Sequence, residues 1–365
     1  MNLLNTTGKS SGAILIYVFS SAQIFAFSFS FFFFSFLFLF FFFFFFFLFF
    51  FFFFYFLYSP TLSSFLHIFS LFTSIFLEIG LINLLGQSIL FALVVCIPIW
   101  RTGRMSYVDI GWPWGLVLLG LISFIFSDGY WLRSLIVSLV VIFIGLRMGL
   151  GALKMWRLGL LNREFPRYEY QRVLWKEEGK DNTLLALQID AISQGLANAS
   201  FLALPVFIIA SNTSETFVLL EMIGLSIWLL AFILESIADF QKLEFLKKMK
   251  KEGKQRQVCN VGLWKYCRHP NYFYEWMVWN SLIIAAIPSW LTLEPISIEL
   301  FGNDYSDGLW LSLICILYTS RAMYKTLVFT TGAVPSEYYS LQKRPGYKEY
   351  QQQTNRFFPG PRRLI

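Results

Sequence analysis

The chain has 365 residues, is 57% hydrophobic and only 14% charged, and carries a formal net charge of +7. Set against about 25% charged residues in a typical soluble domain, this excludes an ordinary water-soluble protein. Several apolar runs reach the roughly 20 residues that a helix needs to cross a bilayer core. Four cysteines (Cys96, Cys259, Cys267, Cys315) and two histidines (His67, His269) are too few and too scattered for a zinc, haem or iron–sulfur site, so no metal ligands are expected.

Residues 1–76 stand apart from the rest. Of the 45 phenylalanines, 24 lie between Phe25 and Phe56, with an unbroken run from Phe40 to Phe47. The interrupting Ser, Leu and Tyr share thymine-rich codons with Phe. Two readings stand side by side: a translated pyrimidine tract that forms a dispensable extension, and an additional transmembrane helix. A signal peptide does not fit, because its apolar region spans about 7–15 residues and ends in a small-residue cleavage site. No chemistry is assigned here, and residues 77–365 are expected to form the working domain.

From Leu77 the pattern becomes regular. Leu77–Trp100 reads as a first span, and Gly111–Phe126 as a short one that enters through Gly-Trp-Pro-Trp-Gly as a broken or tilted helix. Trp131–Leu153 follows, then a polar segment from Lys154 to Leu184. Leu185–Ala210 and Phe217–Asp239 make the next pair, a basic loop runs from Phe240 to Arg268, and Asn271–Trp290 and Gly308–Phe329 close the bundle. The fold expected is therefore all-α, a polytopic bundle of about seven transmembrane helices. The connections 101–110, 154–184 and 240–270, with the tail 321–365, hold 26 of the 29 Lys and Arg residues; 127–132, 211–216 and 291–307 hold none. By the positive-inside rule the basic connections face the cytosol. The positive charge thus reflects topology and attraction to anionic headgroups, including at Lys247–Lys251, and no nucleic-acid partner is implied.

Ionisable residues inside spans are expensive and mark functional candidates. Glu235 and Asp239 are one turn apart near the basic end of their helix. Arg147, Arg321 and Lys325 are the cations expected to pair with such carboxylates, or with a ligand, inside the bundle. Asp190 and Glu221 read as packing or loop-end residues.

The densest motif is Gly262–Glu275, GLWKYCRHPNYFYE. Gly262 permits an unusual backbone conformation, and Pro270 suits the first turn of the following helix. Arg268 is a bidentate donor suited to phosphate, close to a helix N-terminus that favours anions. Asn271 and Glu275 are one turn apart and point the same way. Trp264, Tyr266, Tyr272 and Tyr274 could stack on a planar ring, or serve as ordinary interface-belt aromatics.

At these residues the chain resembles the membrane reductases of the steroid 5-alpha-reductase type, and also the sterol C14-reductases, which share an Arg-His-x-Asn-Tyr turn followed by an acidic residue. The matching pieces run in order: Asp109 to Gly115, Gly145-Leu-Arg147, Glu164 to Tyr168, Gln188 with Gln194-Gly195, Glu235 with Asp239, Gly262 to Glu275, and Lys343 to Tyr347 with Tyr350. The resemblance implies NADPH as reductant and reduction of a carbon–carbon double bond in a steroid, sterol or other enone lipid, in the endoplasmic reticulum membrane. Residues 235–350 would carry the cofactor motif. Asp239, Arg268, His269, Asn271, Tyr272, Glu275, Arg321, Tyr347 and Tyr350 are the cofactor-binding residues it implies. The Glu and Tyr that polarise the 3-oxo group in steroid 5-alpha-reductases have no clear counterpart; Asp109 and Arg147 occupy the nearest comparable regions and are the catalytic candidates, with Asp109, in apolar surroundings, as the acid. The rival reading is a membrane methyltransferase of the isoprenylcysteine or phospholipid type, which uses S-adenosylmethionine and carries an Arg-His-Pro-x-Tyr turn. Such proteins show a Glu-Glu pair where this chain has Ser336-Glu337-Tyr338.

Overall fold

Long apolar stretches close on themselves as helices because a bilayer leaves no water to satisfy backbone N–H and C=O groups. A computed structural model describes residues 62–179, 183–254, 256–293 and 306–363, and every regular element among them is helical. Most of the Phe-rich segment and the acidic residues Glu294, Glu299 and Asp304 lie outside the described residues. Helix α1 (Leu62–Phe91) passes through a π-helical turn, Ala92–Cys96, into α2 (Ile97–Thr102). It begins 15 residues ahead of the expected first span at Leu77. A π turn loosens the usual carbonyl pairing, and here Gln188 donates to the Cys96 carbonyl at 3.0 Å.

Helix α3 (Val108–Phe126) holds Pro113 inside a continuous helix, so the break expected at Gly-Trp-Pro-Trp-Gly is absent. An interior proline removes one i→i−4 bond; beside it, Asn198 donates to the Trp112 carbonyl at 2.9 Å. Helix α4 (Trp131–Arg157) packs closely on α3, because Gly145 has no Cβ to strike the Pro113 carbonyl. A short helix α5 (Pro166–Glu177) precedes α6 (Thr183–Ala199), which breaks at residues 200–202 and resumes as α7 (Ala203–Ala210). The freed Phe201 carbonyl accepts from Thr319 at 2.8 Å.

Helix α8 (Leu219–Lys251) has 33 residues. At 1.5 Å per residue it runs about 50 Å, beyond a hydrocarbon core of about 30 Å, so the stretch 240–251, expected as loop, is a helical extension carrying the lysine cluster. Helix α9 (Pro270–Leu291) packs along α8 where Gly224 meets the Ala285 backbone. Helix α10 (Ser306–Lys325) ends in a π turn, Thr326–Thr330, and the tail folds as α11 (Ala333–Lys343) and α12 (Tyr347–Gln353).

Among the described residues, five segments are long and apolar enough to cross a membrane: Glu78–Thr102, Met105–Phe126, Trp131–Arg157, Leu184–Ala210 and Leu219–Lys251. The connections cluster at two ends. At one, Arg133 donates to Glu221 (2.8 Å) and to the Thr216 carbonyl (2.7 Å), while Asn212 bonds Ser289 (2.9 Å). Glu221 is thus a packing residue, as expected. The basic connections gather at the other end, where the site lies.

Candidate active site

Glu164 organises the first wall. Its carboxylate accepts from the backbone N–H of Met105 (2.8 Å) and Ser106 (3.1 Å) and from the Ser106 hydroxyl (2.7 Å). This ties the start of α5 to the start of α3. Three and four residues on, Arg167 and Tyr168 meet Asp109: Arg167 forms an ion pair with the carboxylate, and the Tyr168 hydroxyl donates to Oδ1 at 3.1 Å. The other oxygen, Asp109 Oδ2, is buried without a partner. Burial raises the Tyr168 phenol above its ordinary value, so it remains a protonated donor at neutral pH.

The opposite wall is the Arg147 cluster. Arg147 pairs with Glu235 and with Asp239 (2.5 Å), and Asn271 donates to the other Asp239 oxygen at 3.1 Å. Glu275, one turn along α9, is close enough to act electrostatically on Arg147. Asn271 Oδ1 is buried with no partner. One cavity of about 1520 Å³ joins both walls and is lined by Asp109, Arg147, Asp239, Asn271, Tyr272 and Glu275 among others. Its basic end carries Lys250, Arg256, Lys325, Lys343 and Arg344; its inner part is lined by apolar groups such as Met148, Phe201 and Met323.

The central turn is docked by local bonds. Gly262 has φ +52°, and a Cβ there would lie 2.3 Å from the Gln241 side chain, whose oxygen accepts from Leu263 N–H at 2.9 Å. Trp264 Nε1 donates to the Ala238 carbonyl at 2.9 Å. Arg268 and His269 then turn away from the large cavity. Both are buried against Glu337: Arg268 donates to its two oxygens at 2.8 and 3.2 Å, and His269 Nε2 lies 3.2 Å from Oε1. Gln351 (2.8 Å) and Arg356 (3.3 Å) complete the shell, and Arg268 also bonds the Gln351 and Thr354 carbonyls. Burial alone would raise the Glu337 carboxyl, but these donors and the Arg268 charge bring it down from 4.5 to about 2. Burial lowers His269 below its ordinary value, so the ring is neutral at pH 7 and acts on Glu337 as a hydrogen-bond donor.

A family model described as "Protein of unknown function (DUF1295)", within the steroid 5-alpha-reductase-like group, matches residues 97–354. The chain belongs to the DUF1295 family. The match begins in α2 and covers all the residues that line the large cavity. An uncharacterised protein of Schizosaccharomyces pombe is 24% identical over 181 residues, which cover 43% of this chain and 44% of that protein, so the chain spans less than half of the relative's length. No solved structure matches.

The geometry places several of the residues expected at the site of this DUF1295 chain away from the large cavity. Arg321 is exposed and lines neither cavity, because α10 buries the face formed by Ile316, Thr319 and Met323, and Arg321 is on the other side. Arg268 and His269 are consumed by Glu337. Tyr347 and Tyr350 are buried in the tail, where Tyr350 donates to the Trp264 carbonyl at 2.5 Å. Those four side chains line an adjoining cavity of about 250 Å³ that shares Asn271 and Tyr272 with the large one. Asp190, read as a packing or loop-end residue, instead lines the large cavity. Sequence reasoning also missed Tyr168 as Asp109's partner and Glu337 as the anchor of the Arg-His turn.

Proposed function

We propose that the protein is a membrane-bound, NADPH-dependent reductase of a carbon–carbon double bond conjugated to a carbonyl, in a steroid, sterol or other enone lipid. The observation that carries this reading is a single cavity bringing together a buried, unpartnered amide oxygen, a carboxylate–tyrosine pair and a basic end. Its volume of about 1520 Å³ exceeds the roughly 300–1,000 Å³ of a pocket for one small molecule, leaving room for a reductant and a lipid together.

The residues fit the cofactor. Asn271 Oδ1 suits the amide donor of a nicotinamide, with Asp239, Tyr272 and Glu275 beside it, while Lys250, Arg256, Lys325, Lys343 and Arg344 suit its phosphates. When bound, NADPH supplies a hydride, and the protein's share is positioning and electrostatics. Asp239 fixes the Asn271 amide so that its oxygen is left free. The single Tyr168 O–H donates to Asp109 Oδ1; turned from that carboxylate to a substrate carbonyl oxygen, it would stabilise the charge that develops there. Arg167, on the same carboxylate, holds Asp109 in place. Arg147 neutralises Glu235 and Asp239 and so holds the cofactor wall together; its role is positioning.

Helices α9 and α10, of 22 and 20 residues, are each about 30 Å long and serve in this reading as the sixth and seventh spans. The basic end then faces the cytosol, and the endoplasmic reticulum is the membrane assigned. Titrating the full chain in detergent with NADPH and with S-adenosylmethionine tests the proposal. Saturable NADPH binding that is lost in Asn271→Ala and Glu275→Ala is expected. Binding of S-adenosylmethionine alone would replace the reductase by the methyltransferase.

A further inference from the structure

Helix α6 contributes a polar face to the large cavity: Asp190, Ser193 and Gln194 all line it. Their i, i+3, i+4 spacing brings them to one side of the helix. The helix belongs to the apolar segment Leu184–Ala210, where a carboxylate is costly unless it has a use. Among the described residues no cation pairs with Asp190. Arg167, close by on the same side of the cavity, is engaged by Asp109.

The hydrogen bonds in this group fix its character. Gln194 Nε2 donates to Asp190 Oδ2 at 3.1 Å, which orients the amide and leaves Gln194 Oε1 as an acceptor. The Ser193 hydroxyl is turned back on the Asp190 carbonyl at 2.8 Å, so it offers no donor to the cavity. Asp190 Oδ1 and Gln194 Oε1 keep acceptor capacity on a half-buried face that lines the cavity. Asp190 and Gln194 line the same cavity as Asp109 and Tyr168.

We infer that Asp190 and Gln194 form a specificity subsite for a hydroxyl group on the lipid, so that the substrate is a hydroxylated enone lipid. An ammonium group would also satisfy two acceptors. Arg147 and Arg167 are engaged by carboxylates, and Asp109, Glu235, Asp239 and Glu275 line the same cavity, so an arm ending in an amine joins the series below, and tighter binding of the amine than of the hydroxyl would overturn the hydroxyl. This inference rests on the reductase reading for the word enone; the hydroxyl subsite itself does not.

The test separates the two. A series of cyclic enones with alkyl arms of graded length, each ending in a hydroxyl, an amine, a methyl ether or a methyl group, is titrated against the full chain in detergent. Quenching of intrinsic tryptophan fluorescence reports binding without NADPH, and NADPH oxidation is followed in parallel. The hydroxyl arm should bind roughly 10- to 100-fold more tightly than the ether at the best arm length, the range for a hydrogen bond to a charged acceptor. Asp190→Ala and Gln194→Leu should each reduce that ratio, and the conservative Asp190→Asn should keep part of it if the alanine variant fails to fold. Equal binding of hydroxyl and ether at every arm length would overturn the subsite, as would a ratio that survives these substitutions. Hydroxyl-selective binding with no NADPH oxidation would leave the subsite standing and overturn only the reductase.

Discussion

The Glu337 carboxylate offers the sharpest test of how the turn is held. It is 3% exposed and accepts from Arg268, His269, Gln351 and Arg356. A carboxyl brought from 4.5 to about 2 corresponds to about 3 kcal/mol of preference for the charged form in the folded protein. That agrees with the roughly 3–5 kcal/mol lost when one partner of a buried ion pair is removed. Glu337→Gln keeps the size of the side chain and removes the charge. Cys267 is a local reporter: it is fully buried, burial pushes its thiol up to about 12, and its Sγ donates to the Phe357 carbonyl at 2.9 Å. In a variant whose other cysteines are replaced, Cys267 labelling reads how often the turn opens. At a tenfold change for each 1.4 kcal/mol, Glu337→Gln should speed labelling by about 100-fold. The stabilisation is fully present above pH 4.5 and is lost as pH falls toward 2, because the folded-state value lies below the ordinary one. His269 adds an earlier loss below pH 6.5, since burial lowers its value and the unfolded chain takes up that proton first. Labelling at the parental rate in Glu337→Gln would refute the reasoning.

Two further outcomes follow from the packing. Arg147→Met leaves Glu235, 2% exposed, without its guanidinium and should cost about 3–5 kcal/mol; adding Glu235→Gln should recover a large part, as measured by thermal unfolding in detergent. Equal loss in the single and double variants would count against the ion pair. A Cβ at Gly145 would lie 2.5 Å from the Pro113 carbonyl and 2.9 Å from the Val117 nitrogen, whereas one at Gly151 on the same helix meets nothing within 4 Å. Gly145→Ala should therefore destabilise by about 1–3 kcal/mol, while Gly151→Ala should be neutral or stabilise by up to about 1 kcal/mol; the same assay checks both, and the reverse order would contradict the close α3–α4 crossing.

How much of this was legible in the sequence follows from the range of each interaction. The helices announced themselves through long apolar runs, and the facing of Asn271 and Glu275 needed only one helical turn. Pro270 as a helix start and Gly262 as a left-handed residue were likewise local. Tyr168 lies 59 residues from Asp109, and Glu337 lies 69 from Arg268. No spacing rule joins such pairs, so one member of each, Asp109 and Arg268, could be read but its partner could not. Arg321 is different, because a signal was present: Ile316, Thr319 and Met323 mark the buried stripe of α10, and a helical projection sets Arg321 away from it. The α8 extension was hidden by its lysines, which read as loop although Leu243, Leu246 and Met249 recur at helical spacing.

The placement of Arg268 and His269 bears on the choice between reductase and methyltransferase. Both kinds of protein carry an Arg-His turn, and in this chain its Arg and His do not line the large cavity but meet on a single buried carboxylate, with Arg268 also bonding the tail carbonyls. Their chemistry here is that of a joint, fixing the start of α9 against α11 and α12. A joint of this kind carries no information about the cofactor. Under the proposed reading, cofactor identity rests on the side chains that line the cavity: Asn271 with its free oxygen, Glu275 one turn on, and Asp239 and Arg147 across from them. Exchanging Arg268 should therefore loosen the protein before it alters cofactor choice, whereas exchanging Asn271 should act on binding while leaving the joint closed.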